Sequence, residues 1–215
     1  MLYSGVHENW VRLTIMHSIA HDYYKKTETH DMREKGCISE DGKLNLDVNA
    51  HLSMEKESYI VGMVIAWSAI TLESYVNHAL AQVINHKLSA IHAIESPDKF
   101  KLKPPSGINP QSELSKKLMI LSDGADVPRE ILKFTEEISN SRNSIIHDKP
   151  FELSHDHEGN IEFDSFRSRG QPAKTYYMED LDDFFPKCQK IADFIRSSGV
   201  DTVEGTELDF NSLLT

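Results

Sequence analysis

Tyr59-Ile60-Val61-Gly62-Met63-Val64-Ile65-Ala66-Trp67-Ser68-Ala69-Ile70-Thr71-Leu72 is the most apolar run of the chain, bounded by Glu57 and Glu73 and interrupted by Gly62 and Ser68. It is shorter than the roughly 20 apolar residues of a membrane span, so it reads as a buried helix with no membrane partner. From about Ser53 to Ala93 there is no proline and one glycine, and Ala, Met, Ile and Val recur three and four residues apart. That spacing predicts a long central helix. Ser96-Pro97-Asp98 stops it, and Lys103-Pro104-Pro105-Ser106-Gly107 with Pro110 forms a connector that cannot be helical.

Working outward, Trp10, Leu13, His17, Ala20 and Tyr24 place a first helix over about Val6 to Lys26. Residues 27–50 are polar, a loop or short hairpin around Glu40-Asp41-Gly42-Lys43. A short helix is expected from Gln111 to Leu121, then a turn at Asp123-Gly124-Ala125-Asp126. Asp126 and Pro128 announce a late helix that Pro150 ends near His147. Over residues 151–178, Phe151-Glu152-Leu153, Asn160-Ile161-Glu162-Phe163 and Thr175-Tyr176-Tyr177 look like short strands of a β-hairpin insertion. Helical spacing returns from Glu179 to Ser197. The expected architecture is one all-α domain, residues 1–198, carrying that small hairpin before its last helix, with 199–215 as a polar tail.

Composition narrows the function classes. Across 215 residues, 34 acidic against 23 basic side chains leave a formal charge of −11. A broad nucleic-acid-coating surface is thereby excluded, and any RNA contact must be local. Met1 to Trp10 carries His7 and Glu8 and does not read as a signal peptide. Two cysteines, Cys37 and Cys188, are too few for a disulfide framework and read as packing residues of a reducing, cytoplasmic compartment.

Ser141-Arg142-Asn143-Ser144-Ile145-Ile146-His147 carries the chemistry. The Arg-to-His spacing alone decides little, because seven arginines and 11 histidines give about 0.4 such pairs by chance, and Arg12 and His17 share it. Context separates them: Arg142 is followed by polar Asn143 on the late helix, while Ala66-Trp67-Ser68-Ala69-Ile70-Thr71-Leu72-Glu73-Ser74-Tyr75-Val76-Asn77 sits upstream. This combination resembles the HEPN superfamily, over about Glu55 to Pro150 and Glu179 to Ser197. The resemblance implies a helical bundle whose Arg-polar-x-x-x-His motif cleaves RNA without metal at a dimer interface. It carries the catalytic roles to Arg142, Asn143 and His147, and supporting roles to Glu73 and Asn77. It implies RNA, single-stranded or looped, as substrate, a homodimer, a toxin or antiviral-defence setting, and an antitoxin or other protein as a further partner.

The residues can be read beside it. Ile131, Phe134, Ile138 and Ile145 fall on one helical stripe, Asn143 and His147 are i,i+4 neighbours on a polar face, and Arg142 projects about 140° from His147 at the stripe's margin. One helix therefore leaves the site incomplete, which two helices facing across a dimer would remedy. Arg142 is expected to extend outward or to pair with Glu73. The helix dipole and Asp148 favour a protonated His147, suited to proton transfer or a phosphate contact. The competing reading makes Arg142 a structural ion-pair partner and His147 a C-cap. At the level of function it is a catalytically inactive HEPN-like dimerisation or interaction module, or a helical domain binding a small ligand.

Other motifs are weaker. His17 and His21 have the spacing of two metal ligands, but Ser18 stands where a His-Glu-x-x-His motif has glutamate; His155-Asp156-His157 reads as a solvated turn. No glycine-rich phosphate loop is present, so a nucleotide-cradling fold is unsupported; with these His motifs weak and the resemblance metal-independent, neither a cofactor nor a metal is expected. Lys99, Lys101 and Lys103, and Arg167, Arg169 and Lys174, are solvated loops or a phosphate-tracking rim. Trp67, Phe134 and Tyr75 fall at core positions.

Overall fold

The structure, a computed structural model, describes residues 5–27, 48–84, 87–122, 127–146, 151–155, 161–165, 176–200 and 207–214. These residues are predominantly helical: α1 (Val6–Thr27), α2 (Val48–Val83), α3 (Lys87–Glu95), α4 (Glu113–Leu121), α5 (Arg129–Ile146) and α6 (Asp180–Ser197). Single 3-10 turns occupy Pro97–Lys99 and Phe210–Leu214. The hairpin expected around Glu40 to Lys43, Asn85 and His86, and the turn at Asp123 to Asp126 lie outside the described residues.

α2 is the axle, and α1, α4, α5 and α6 all pack on it. Val61, Val64, Leu72, Val76, Ala79 and Leu80 are completely buried, as expected of a helix apolar on several faces because neighbours surround it. Its polar interruptions are accommodated locally. Ser68 Oγ donates to the carbonyl of Val64 and Thr71 Oγ1 to that of Trp67, so neither buried hydroxyl lacks a partner. The helix departs from expectation at both ends. It takes Val48 to Ala50 from the expected polar loop, and it stops at Val83, with α3 a separate helix rather than its continuation. At 36 residues its length does not exclude a membrane span: Leu52–Val83 is long and apolar enough to cross one, and 61% of an apolar 18-residue stretch within it is buried inside the protein.

α1 buries Val6, Leu13 and Ala20, one every two turns, against α2. Asn9 Nδ2 donates to Ser74 Oγ at 2.6 Å and the Tyr23 hydroxyl to the carbonyl of Ser53, so the two helices run antiparallel. α4 begins at Ser112, whose Oγ accepts from the Ser115 amide. Glu136 of α5 reaches the same helix end, accepting from the amides of Gln111 and Ser112 and the hydroxyls of Ser112 and Ser115. Its carboxylate thereby pins α5 to the electropositive N-terminus of α4. The proline-rich connector turns at Gly107, whose φ of +80° is open to glycine and lets the Ile108 amide reach the carbonyl of Pro105.

Phe151–His155 (β1) and Ile161–Ser165 (β2) pair antiparallel, Phe151 opposite Ser165 and His155 opposite Ile161. The third expected strand does not form at Tyr176 and Tyr177. Their amides are taken by side chains instead: Tyr176 N–H donates to Ser58 Oγ, Tyr177 N–H to Asp180 Oδ2, and Met178 N–H to Glu57 Oε1. Two α2 side chains thus claim the chain where it enters α6.

The polar tail expected at 199–215 is also corrected. Gly199, just past the end of α6, has a φ of +82°, but Val200, Leu208 and Phe210 are buried in the core. Phe210 meets Trp10 edge-on with centroids 5.2 Å apart and lies 6.1 Å from Phe185. Gln189 of α6 fixes the segment by accepting from the Phe210 amide at 2.7 Å.

Candidate functional site

α5 is amphipathic. Ile131, Leu132, Thr135 and Ile138 are buried, with Phe134 and Ile145 packed at the edge, which matches the expected stripe and adds Leu132 and Thr135. The motif occupies its last turns. Arg142 is half-buried; its Nη1 donates to Asn143 Oδ1 at 3.3 Å, its Nε is buried without a partner, and Asn143 is exposed. His147 lies outside the described residues, as do Asp148, Arg167, Arg169 and Lys174. Arg142 and Asn143 are therefore brought together in the last two turns of α5.

The expected pairing of Arg142 with Glu73 does not occur. Glu73 instead accepts from Lys117 of α4, Nζ to Oε1, at 2.8 Å. Helix register explains the difference. Ile145 packs at Gly62, and Ile138 and Ile65 line one cleft, so α5 runs antiparallel to α2 with Arg142 level with Gly62 to Ile65. Glu73 lies eight residues beyond Ile65, about 12 Å further along the axis, out of reach of a guanidinium. Asn77 is a turn further still, its Oδ1 buried without a partner. Within one chain, neither Glu73 nor Asn77 joins Arg142.

Sequence reasoning missed Lys117, which is 2% exposed and held by Glu73, with Glu113 at 3.7 Å. The signal was present: Leu114, Lys117, Leu118 and Leu121 recur at helical spacing, placing a lysine on the apolar face of α4. A buried ammonium demands a carboxylate. Glu73→Gln should cost about 2 kcal/mol, less than full burial of both partners implies because Glu113 remains. Lys117→Met should cost less, since it leaves Glu73 partly solvated rather than a cation buried. Urea unfolding with an unchanged slope checks the order; equal losses would place the burden on packing rather than charge.

Beside the motif, Ser141 and Ile138 of α5, Ile65 of α2 and Phe184 of α6 line a cleft of about 290 Å³. Its charged rim is mainly acidic: Lys187 donates to Asp183 at 2.7 Å and to Glu137 at 3.1 Å, and Asp180 stands alongside. Those bonds, Asp183's foremost and Glu137's second, raise the Lys187 pKa, so its charge is retained and already neutralised. Lys187 and Lys190 also lie over the Phe134 ring. On the far connector Lys99, Lys101 and Lys103 are exposed.

The second Arg-to-His pair is occupied by packing. Arg12 lies over the Trp67 ring at 5.4 Å, and His17 is stacked by His21 and edge-on to Phe185. Among the described residues, no three His, Cys, Asp or Glu side chains converge as metal ligands. Burial, and then the charge on His21, lower the His17 pKa. A group with a depressed folded pKa supports the fold above its unfolded value, near 6.5 for histidine, and that support drains as pH falls through the folded pKa. His17→Leu should therefore flatten the acid-side loss of stability below about pH 6.5. A urea midpoint as steeply pH-dependent as wild type would refute it. Cys188 is fully buried, and burial pushes its thiol pKa up, the behaviour of a packing residue.

No family model, no curated protein and no solved structure matches this chain.

Proposed function

We propose that the protein is a metal-independent endoribonuclease of HEPN type, working as a homodimer on single-stranded or looped RNA in the cytoplasm. The reading makes α1 to α6 a HEPN-like bundle and 151–178 its hairpin insertion. The observation that carries it is Arg142: a half-buried residue near the end of α5, its Nε unpaired and its Nη1 bound to Asn143. No carboxylate neutralises it among the described residues, so it keeps the positive charge that a phosphate would meet. In the reaction the ribose 2′-hydroxyl attacks the adjacent phosphorus, the 5′-oxygen leaves, and a 2′,3′-cyclic phosphate remains. His147 serves in proton transfer, Arg142 stabilises the charge developing on the phosphate, and Asn143 orients the guanidinium. A toxin or antiviral-defence effector, restrained by an antitoxin or another protein, is the setting this activity fits.

A second reading is favoured by the cleft beside the motif. Glu137, Asp180 and Asp183 around an already paired Lys187 repel a phosphate backbone and suit a protein partner. The chain would then be a catalytically inactive HEPN-like dimerisation or interaction module. Incubating wild type and His147→Ala with unstructured RNA separates the two. Cleavage by wild type alone supports the nuclease; no cleavage by either supports the module.

A further inference from the structure

We propose that the outward face of α1 is a docking surface for a second copy of this chain, the two α1 helices packing antiparallel about a two-fold axis level with His17. α1 turns Val6, Leu13 and Ala20 to the core, yet its opposite face is not simply polar. Val11, Ile15 and Ile19 are 40%, 53% and 47% exposed. Glu8, Arg12, Ile15, Ile19, Asp22 and Lys26 are all exposed and follow one another at alternating steps of four and three, the seam spacing of packed helix pairs.

The charges select the occupant. In an antiparallel pair centred at His17, Ile15 meets the partner's Ile19, Arg12 meets the partner's Asp22, and Glu8 meets the partner's Lys26, each twice by symmetry. A parallel pair would set Glu8, Arg12, Asp22 and Lys26 each against its own copy, four repulsive layers. One seam thus carries both an attraction for its antiparallel copy and a penalty against the alternative. Within the chain, Glu8, Asp22 and Lys26 form no ion pair among the described residues. Arg12 rests on Trp67, a stacked position from which a guanidinium still offers donors to a carboxylate.

This contact is not the one RNA cleavage requires. Trp67 and Ser74 face α1, whereas Gly62 and Ile65 face α5; at 100° per residue these directions on α2 are about 160° apart. Pairing through α1 leaves both α5 helices on outer flanks, so the α1 contact stands or falls independently of the nuclease reading.

A single helix pair about 27 Å long is a small interface, so sedimentation equilibrium should run to about 100 µM, where weak dimers form. Wild type should self-associate there, as a dimer where α1 is the sole contact and as larger species where the α5 pairing of the nuclease forms as well. Ile15→Glu, at an exposed position, should weaken association at least tenfold with unchanged circular dichroism. Asp22→Arg should weaken it about tenfold, and Arg12→Asp added to it should restore it, as should Lys26→Glu added to Glu8→Lys. A monomer at every concentration, a dimer indifferent to Ile15→Glu, or failure of both charge exchanges to restore association would overturn the proposal.

Discussion

Phe210→Ala should lower stability by about 3–5 kcal/mol, the usual cost of emptying a fully buried aromatic site, and the melting temperature by about 10 °C for a chain of this size. Phe210 is completely buried between Trp10 of α1 and Phe185 of α6, so its removal opens a cavity where two helices and the C-terminal segment meet. It also forfeits edge-to-face ring geometry with Trp10, worth about 0.5–1.5 kcal/mol beyond area burial. The Gln189 bond to the Phe210 amide uses the backbone and survives the substitution, which limits the collapse available to fill the space. Leu214→Ala, at 39% exposure four residues on, is the internal control and should stay within about 0.5 kcal/mol of wild type. Thermal melting of both variants checks the pair, and equal, small shifts would mean the segment is not docked.

Helices α1, α4, α5 and α6 were legible because each carries an apolar period bounded by start or stop signals: Trp10 to Tyr24, Gln111 to Leu121, Ile131 to Ile145 between Pro128 and Pro150, and Leu181 to Ile195 between Glu179 and Gly199. The docked C-terminal segment was not, because Leu208, Phe210 and Leu213 span too few residues to establish a helical period. The break between α2 and α3 was equally silent. Neither proline nor glycine marks it, and apolar spacing continues across it through Ile84, Leu88 and Ile91. Tyr176 and Tyr177 were misread for the opposite reason. Their β-forming side chains are real, but Ser58 takes the Tyr176 amide and Asp180 the Tyr177 amide, with Glu57 holding that of Met178, and side-chain hydrogen bonds override propensity.

The candidate site divides in the same way. A helical wheel places Arg142 at the margin of the apolar stripe, and there it lies, half-buried. The wheel holds no information on how far one helix is slid along another, so Glu73 was assigned to the wrong cation. The structure supplies that offset through Ile145 at Gly62, and Lys117, closer at hand on α4, takes the carboxylate.

That exchange changes what the motif variants should do. Had Arg142 neutralised a buried Glu73, Arg142→Ala would have unfolded the protein and lost activity together. With Glu73 held by Lys117, Arg142→Ala should melt within about 2 °C of wild type and still lose at least about 100-fold in cleavage rate, since removing one donor to a developing oxyanion costs about 2.7–4 kcal/mol. His147→Ala should lose a similar factor, that of general acid–base catalysis, whereas Arg12→Ala should cleave as wild type. Because a cation, an amide and an imidazole stabilise the transition state by hydrogen bonding, cleavage should survive EDTA, leave a 2′,3′-cyclic phosphate and fail on a substrate with 2′-deoxyribose at the scissile position. Activity lost in EDTA and restored by magnesium or zinc would sink this mechanism. Charge sets the remaining expectation. With a net −11 and an acidic cleft at its side, Arg142 works against the field of the whole molecule, so RNA is held by few phosphate contacts and the logarithm of affinity should fall with the logarithm of salt at a slope no steeper than about −2 or −3. A steep slope would require a basic surface of six or more phosphate contacts, which neither the exposed lysines of the connector nor Arg142 provides.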